Sequence, residues 1–87
     1  MKLVTDTRTQ GWQAQLIEGT PVGIEQLDRG CWLVYRIMFG NRVYVMEEVT
    51  RYGKRERDTR FFTSRTKALA YARQEVNRWR NSLVVSA

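Results

Sequence analysis

Eighty-seven residues suffice for one domain, and 43% apolar with 11% aromatic side chains can bury a core, which excludes a disordered polar tail. One cysteine and no histidine exclude an internal disulfide, a close-spaced zinc site and the Ser-His or Cys-His nucleophile pairs, so no metal, cofactor or catalytic residue is expected and the chain does not read as an enzyme. The net charge of +6 is uneven: residues 1–50 carry five basic and six acidic side chains, residues 51–87 ten and three.

Twelve of the fifteen basic residues are arginine, whose flat, permanently charged fork suits phosphates and base edges. No apolar run reaches the ~18–20 residues of a membrane span, and MKLVTDTRTQ lacks the apolar stretch of a signal peptide. With an unpaired Cys31, read as a small buried hydrophobe, a cytoplasmic location without membrane contact is expected.

The whole chain, 1–87, reads as one domain. Residues 1–10 are polar and turn-rich, a loosely held N-terminus anchored by Leu3 and Val4. From Gly11 the pattern alternates, with Trp12, Ala14 and Leu16 on one side and Gln13 and Gln15 on the other, which predicts a half-buried strand ending at Gly19. TPVGIEQLDRG (20–30) is an irregular segment with turn signals at both ends and room for a short edge strand at Val22-Gly23-Ile24.

WLVYRIMF (32–39) is almost continuously apolar, as a strand buried on both faces should be. Gly40-Asn41 then predicts a two-residue hairpin loop that sets Phe39 opposite Arg42, Ile37 opposite Tyr44 and Tyr35 opposite Met46, with 42–52 as one return strand. A turn at Tyr52-Gly53-Lys54-Arg55 leads to a third strand, Glu56 to Phe62, with at least one of Phe61 and Phe62 beneath a helix. Thr63 or Ser64 caps that helix, which is expected to reach about Asn81 with Leu69, Ala72, Val76, Trp79 and Leu83 as its apolar stripe and Lys67, Tyr71, Gln74 and Arg78 opposite. Residues 82–87 form a C-terminal tail. The fold class is therefore α+β: an antiparallel sheet of three to four strands with one C-terminal amphipathic helix on one face, in the order β-β-β-β-α.

The stretch Arg51–Lys67 concentrates the charge. Arg51, Lys54, Arg55, Arg57, Arg60, Arg65 and Lys67 stand against Glu56 and Asp58, a net +5. A basic turn and strand of this kind can engage several phosphates, the helix N-terminus adding its own preference for anions. Tyr35, Tyr44 and Tyr52 are the candidates for stacking unpaired bases. Glu47-Glu48 cannot act as a carboxylate dyad, since adjacent strand residues point to opposite faces.

The hairpin RIMFGNRVYVM, the basic run GKRERDTRFF and the helix entry TSRTKALAYARQEV resemble the three-strand-plus-helix DNA-binding units of tyrosine recombinases (arm-type) and of plant ethylene-response-factor proteins. The resemblance implies a sheet laid in the major groove, with Arg51, Arg55, Arg57 and Arg60 contacting bases and phosphates. It covers a little over half the chain, which has no recombinase catalytic domain and adds a strand before the hairpin. The expectation is a small non-catalytic nucleic-acid-binding accessory protein of phage or mobile-element type, DNA favoured over RNA. The alternative is a protein-interaction module with an acidic partner or a second copy of the chain.

Overall fold

The computed structural model describes residues 2–6 and 13–85. Five short strands, β1 (Leu3–Thr5), β2 (Gln13–Ile17), β3 (Val22–Asp28), β4 (Cys31–Met38) and β5 (Asn41–Tyr44), form one antiparallel sheet in sequence order. A separate two-stranded ribbon follows, β6 (Met46–Arg51) and β7 (Lys54–Thr59), and then the single helix α1 (Arg65–Val85). The α+β class and the C-terminal helix are as expected; the strand count is higher. Leu3–Thr5, placed by the sequence in a loose terminus, is an edge strand, and the irregular segment 20–30 is largely β3, central in the sheet. Gly11 and Trp12, expected to open the second strand, lie outside the described residues.

Strand pairing sorts the side chains into two faces. On one, Ile17, Val22, Ile24 and Val34 are buried under the helix residues Ala68, Ala72 and Val76, with Phe62 completing the core. Two alanines, both fully buried, let the helix axis come close to β3 and β4. Ser64 is the cap: its Oγ accepts the Lys67 backbone N–H at 3.2 Å. The helix passes Asn81 and runs to Val85. Two stripe assignments differ from the pattern: Leu83 is exposed, and Tyr71, expected on the wet side, packs against the core with its ring 5.3 Å from that of Phe62. No helix among the described residues is long and apolar enough to cross a membrane.

The second face has no helix, yet Ala14, Leu33 and Tyr35 are buried there. It is closed by its own side chains. Tyr35 lies flat on Gly23, where any Cβ would come within 2.5 Å of the ring, and its hydroxyl donates to Asp6 at 2.7 Å. Arg42 crosses above that ring at 4.7 Å and reaches both Asp6 (2.8 Å) and Glu25 (3.5 Å), while the Tyr44 hydroxyl donates to Glu25 at 2.7 Å. Asp6 follows β1 and Arg42 sits on β5, the two outer strands. In a flat sheet four strand spacings would separate them by roughly 19 Å, further than an arginine and an aspartate laid end to end. The sheet is therefore curled, with this network across its hollow side.

The β4–β5 and β6–β7 turns each seat an aromatic residue and a glycine in the left-handed region: Phe39 (φ 52°) with Gly40 (φ 79°), and Tyr52 (φ 51°) with Gly53 (φ 75°). Two consecutive positive φ values match the right-handed strand twist. The first loop is thus Phe39-Gly40 rather than Gly40-Asn41, because the glycine takes the second central position. Met38 pairs with Asn41, Ile37 with Arg42 and Tyr35 with Tyr44. The partner shifts by two residues, so the paired side chains of 35–38 and 42–44 keep the faces expected for them, while Met46 leaves this sheet and pairs with Thr59.

The single return strand expected for 42–52 is broken at Val45. The Val45 N–H still donates to the Val34 carbonyl (2.8 Å), and the Arg60 N–H returns to the Val45 carbonyl (2.9 Å). Trp32 and Phe62 then exchange both backbone hydrogen bonds at 2.8 Å. Residues 46–59 are thereby an arm that leaves the sheet after β5 and rejoins it beside β4.

Candidate nucleic-acid interface

The arm carries most of the basic stretch, and its register divides that charge. Met46 faces Thr59, Glu48 faces Arg57 and Thr50 faces Arg55 on one side; Glu47 faces Asp58, Val49 faces Glu56 and Arg51 faces Lys54 on the other. A two-residue turn exchanges odd and even positions, so Arg51 lies on the opposite side from Arg55 and Arg57. Arg51 is also occupied, bonded to Asp58 (2.5 Å) and within 3.7 Å of Glu56. Its guanidinium, with the Thr59 backbone N–H, holds the Asp58 carboxyl below its ordinary range.

Lys54, Arg55 and Arg57 are exposed and form no ion pair among the described residues. They are the available cations of the arm, with Tyr52 wholly exposed at its tip. Arg60 lies at the arm's root, over the rings of Phe62 (5.1 Å) and Tyr71 (4.8 Å) and 4.0 Å from Glu47. Arg65 donates to the Gln15 side chain at 3.1 Å, and Lys67 reaches the Thr63 hydroxyl at 3.2 Å. These last two sit on the helix start rather than on the arm, so the seven expected cations do not share one surface.

The three tyrosines do not form a platform. Tyr35 is fully buried between Gly23 and Arg42, and Tyr44 is half-buried with its hydroxyl on Glu25. Burial, then the hydrogen bonds to Asp6 and Glu25 respectively, raises the pKa of both phenols above the ordinary tyrosine value. Only Tyr52 offers a ring to solvent. Cys31 is half-buried and free.

Sequence reading did not single out a groove of about 350 Å³ between β5, the arm root and the helix. Met38, Val43, Val45 and Met46 line it with Arg36, Arg57 and Arg78. Glu75 pairs with Arg36 (3.5 Å) and Arg78 (2.7 Å), and Arg36 Nε is buried without a hydrogen-bond partner among the described residues. The helix packs on β3 and β4 and leaves Met38 and Val43 uncovered, a consequence of tertiary packing that local sequence pattern does not encode.

No protein-family model matches the chain, and no curated protein or solved structure matches it at a significant level.

Proposed function

We propose that the chain is a small non-catalytic nucleic-acid-binding protein whose contact element is the arm 46–59. One observation carries the reading: a two-stranded ribbon stands apart from the sheet and ends in Tyr52, Lys54 and Arg55, with Arg57 behind them on the Arg55 face and no carboxylate among the described residues in an ion pair with any of the three cations. An isolated hairpin is marginal in water, so an arm held out on anchored roots suits contact with another molecule better than it serves this fold. A two-stranded ribbon has the dimensions to enter the major groove of duplex DNA, where arginine forks read guanine edges and phosphates. The resemblance to recombinase arm-binding units supports DNA over RNA.

Charge reversal of Lys54 and Arg55 tests it, since neither holds the fold. In an electrophoretic shift series with single- and double-stranded oligonucleotides, wild-type protein should bind at ~50 mM salt and lose affinity with a log–log slope of about −3 for three phosphate contacts on duplex. The double variant should melt like wild type and retain no nucleic acid. Equal binding by the variant, or none by the wild type at low salt, refutes the proposal.

A further inference from the structure

We infer that the groove between β5, the arm root and the helix is a docking site for an extended, acidic and apolar segment of a partner protein. The inference draws on one cation of the arm, Arg57, and not on Lys54 or Arg55. Three arginines reach this groove from three different elements, Arg36 from β4, Arg57 from β7 and Arg78 from α1, and Glu75 is the one carboxylate lining it. Glu75 is shared by two of them, which leaves an excess of positive charge at the wall. A carboxylate-bearing ligand supplies what is lacking.

The apolar lining specifies the rest. Met38, Val43 and Met46 are each between 41% and 47% exposed and lie together around the groove. Thioethers adapt to varied apolar side chains, and methionine is over-used at surfaces that accept more than one peptide. β5 is the last strand of its sheet, and an extended peptide can add to such an edge with alternate side chains entering the groove. Nucleic acid fits less well here because bases stack on open rings. Of the two aromatic rings lining the groove, Tyr71 is already covered by Arg60 and Arg78 and tilted against Phe62, and Tyr44 is half-buried and packed in a T-shaped contact with Tyr35.

The probe is a fluorescein-labelled synthetic peptide in which Glu alternates with Leu and Phe, followed by anisotropy, with a Lys-for-Glu peptide and a labelled single-stranded oligonucleotide as comparisons. The acidic peptide should bind with micromolar affinity and the basic one should not. Met46→Ser and Arg78→Glu should each weaken it about tenfold, whereas Lys54→Glu/Arg55→Glu, which reverses the two arm cations outside the groove, should leave it unchanged. On the unmodified protein, peptide should shift the methyl resonances of Met38, Val43 and Met46, so the result does not depend on any variant folding. Absence of peptide binding, methyl shifts elsewhere, or Met46→Ser and Arg78→Glu weakening the oligonucleotide and not the peptide would each overturn the inference. Loss of oligonucleotide binding in the Lys54→Glu/Arg55→Glu protein alone speaks to the arm and leaves the peptide result to stand by itself.

Discussion

Replacing Arg42 with alanine should come close to unfolding the protein, although the residue lies on an edge strand next to a turn. The Asp6 and Glu25 side chains are only 2% and 6% exposed, and Arg42 is the cation bridging them. Its removal takes the bridging cation away from two buried carboxylates and uncovers the Tyr35 ring. Breaking a buried ion pair by deleting one partner costs about 3–5 kcal/mol. Small domains have about 5–15 kcal/mol in total. At about 4–8 °C per kcal/mol for a domain of this size, the melting temperature should fall by roughly 12–40 °C. Urea unfolding followed by tryptophan fluorescence gives the free energy. The diagnostic partner is the triple variant Arg42→Met/Asp6→Asn/Glu25→Gln, which removes the three charges of the network together while both tyrosine hydroxyls keep an amide oxygen to donate to. It should recover most of the loss. If Arg42→Ala costs under about 1 kcal/mol, as an exposed pair would, or if the triple variant is no better, the cross-sheet network does not hold the curl and the reasoning fails.

Gly23→Ala should cost about 2–3 kcal/mol, an overpacking penalty, because the new methyl meets Tyr35 Cζ at 2.5 Å and the Gln15 carbonyl oxygen at 2.8 Å; a neutral thermal melt would mean that the ring does not rest on the glycine. Alkaline stability follows from Tyr35 and Tyr44, whose folded-state pKa values lie above the unfolded value. The unfolded chain loses these protons first, so stability is intact below about pH 10 and falls above it by up to about 1.4 kcal/mol per pH unit per tyrosine; Tyr35→Phe should flatten that decline, and an unchanged slope in the variant would contradict it. At the two turns, Phe39→Asn and Tyr52→Asn should each raise the urea midpoint, since a bulky residue in the left-handed region costs about 1 kcal/mol that asparagine largely avoids. A lowered midpoint would show that the exposed rings make contacts worth more than the strain.

Local pattern made the covered face of the fold readable. The apolar run 32–39, the glycine turns and the three-and-four spacing of Ala72, Val76 and Trp79 each follow from the geometry of one element, and the helix cap at Ser64 follows from a single hydroxyl. The segment 20–30 was harder because Pro21, Gly23 and Asp28-Arg29-Gly30 all signal turns, yet Gly23 is in a strand so that Tyr35 can lie against it. That requirement sits twelve residues downstream and leaves no mark on the segment itself. Val45 likewise carries no signal of a break; the ladder leaves β4 there because Phe62 claims the place beside Trp32.

The charged residues were the least readable, for a reason that bears on function. In sequence, Arg42 and Arg55 are two arginines near glycine turns with similar neighbours. In space, one is sealed between Asp6 and Glu25 and the other stands free on the arm. What separates them is the identity of the residues across the fold, set by curl and register over separations of up to 36 residues. The arm shows the same rule at short range: turn parity puts Arg51 and Lys54 with Glu47, Glu56 and Asp58, and Arg55 and Arg57 with Glu48 alone. Net charge over a window therefore overstates the cations that can meet a ligand. For this chain the seven of the basic stretch reduce to Lys54, Arg55 and Arg57 on the arm, and of these Arg57 alone also reaches the groove. If both contacts are used, Arg57 is where a partner in the groove and a nucleic acid on the arm would compete, and Arg57→Glu should weaken both while Lys54→Glu and Arg78→Glu each weaken one.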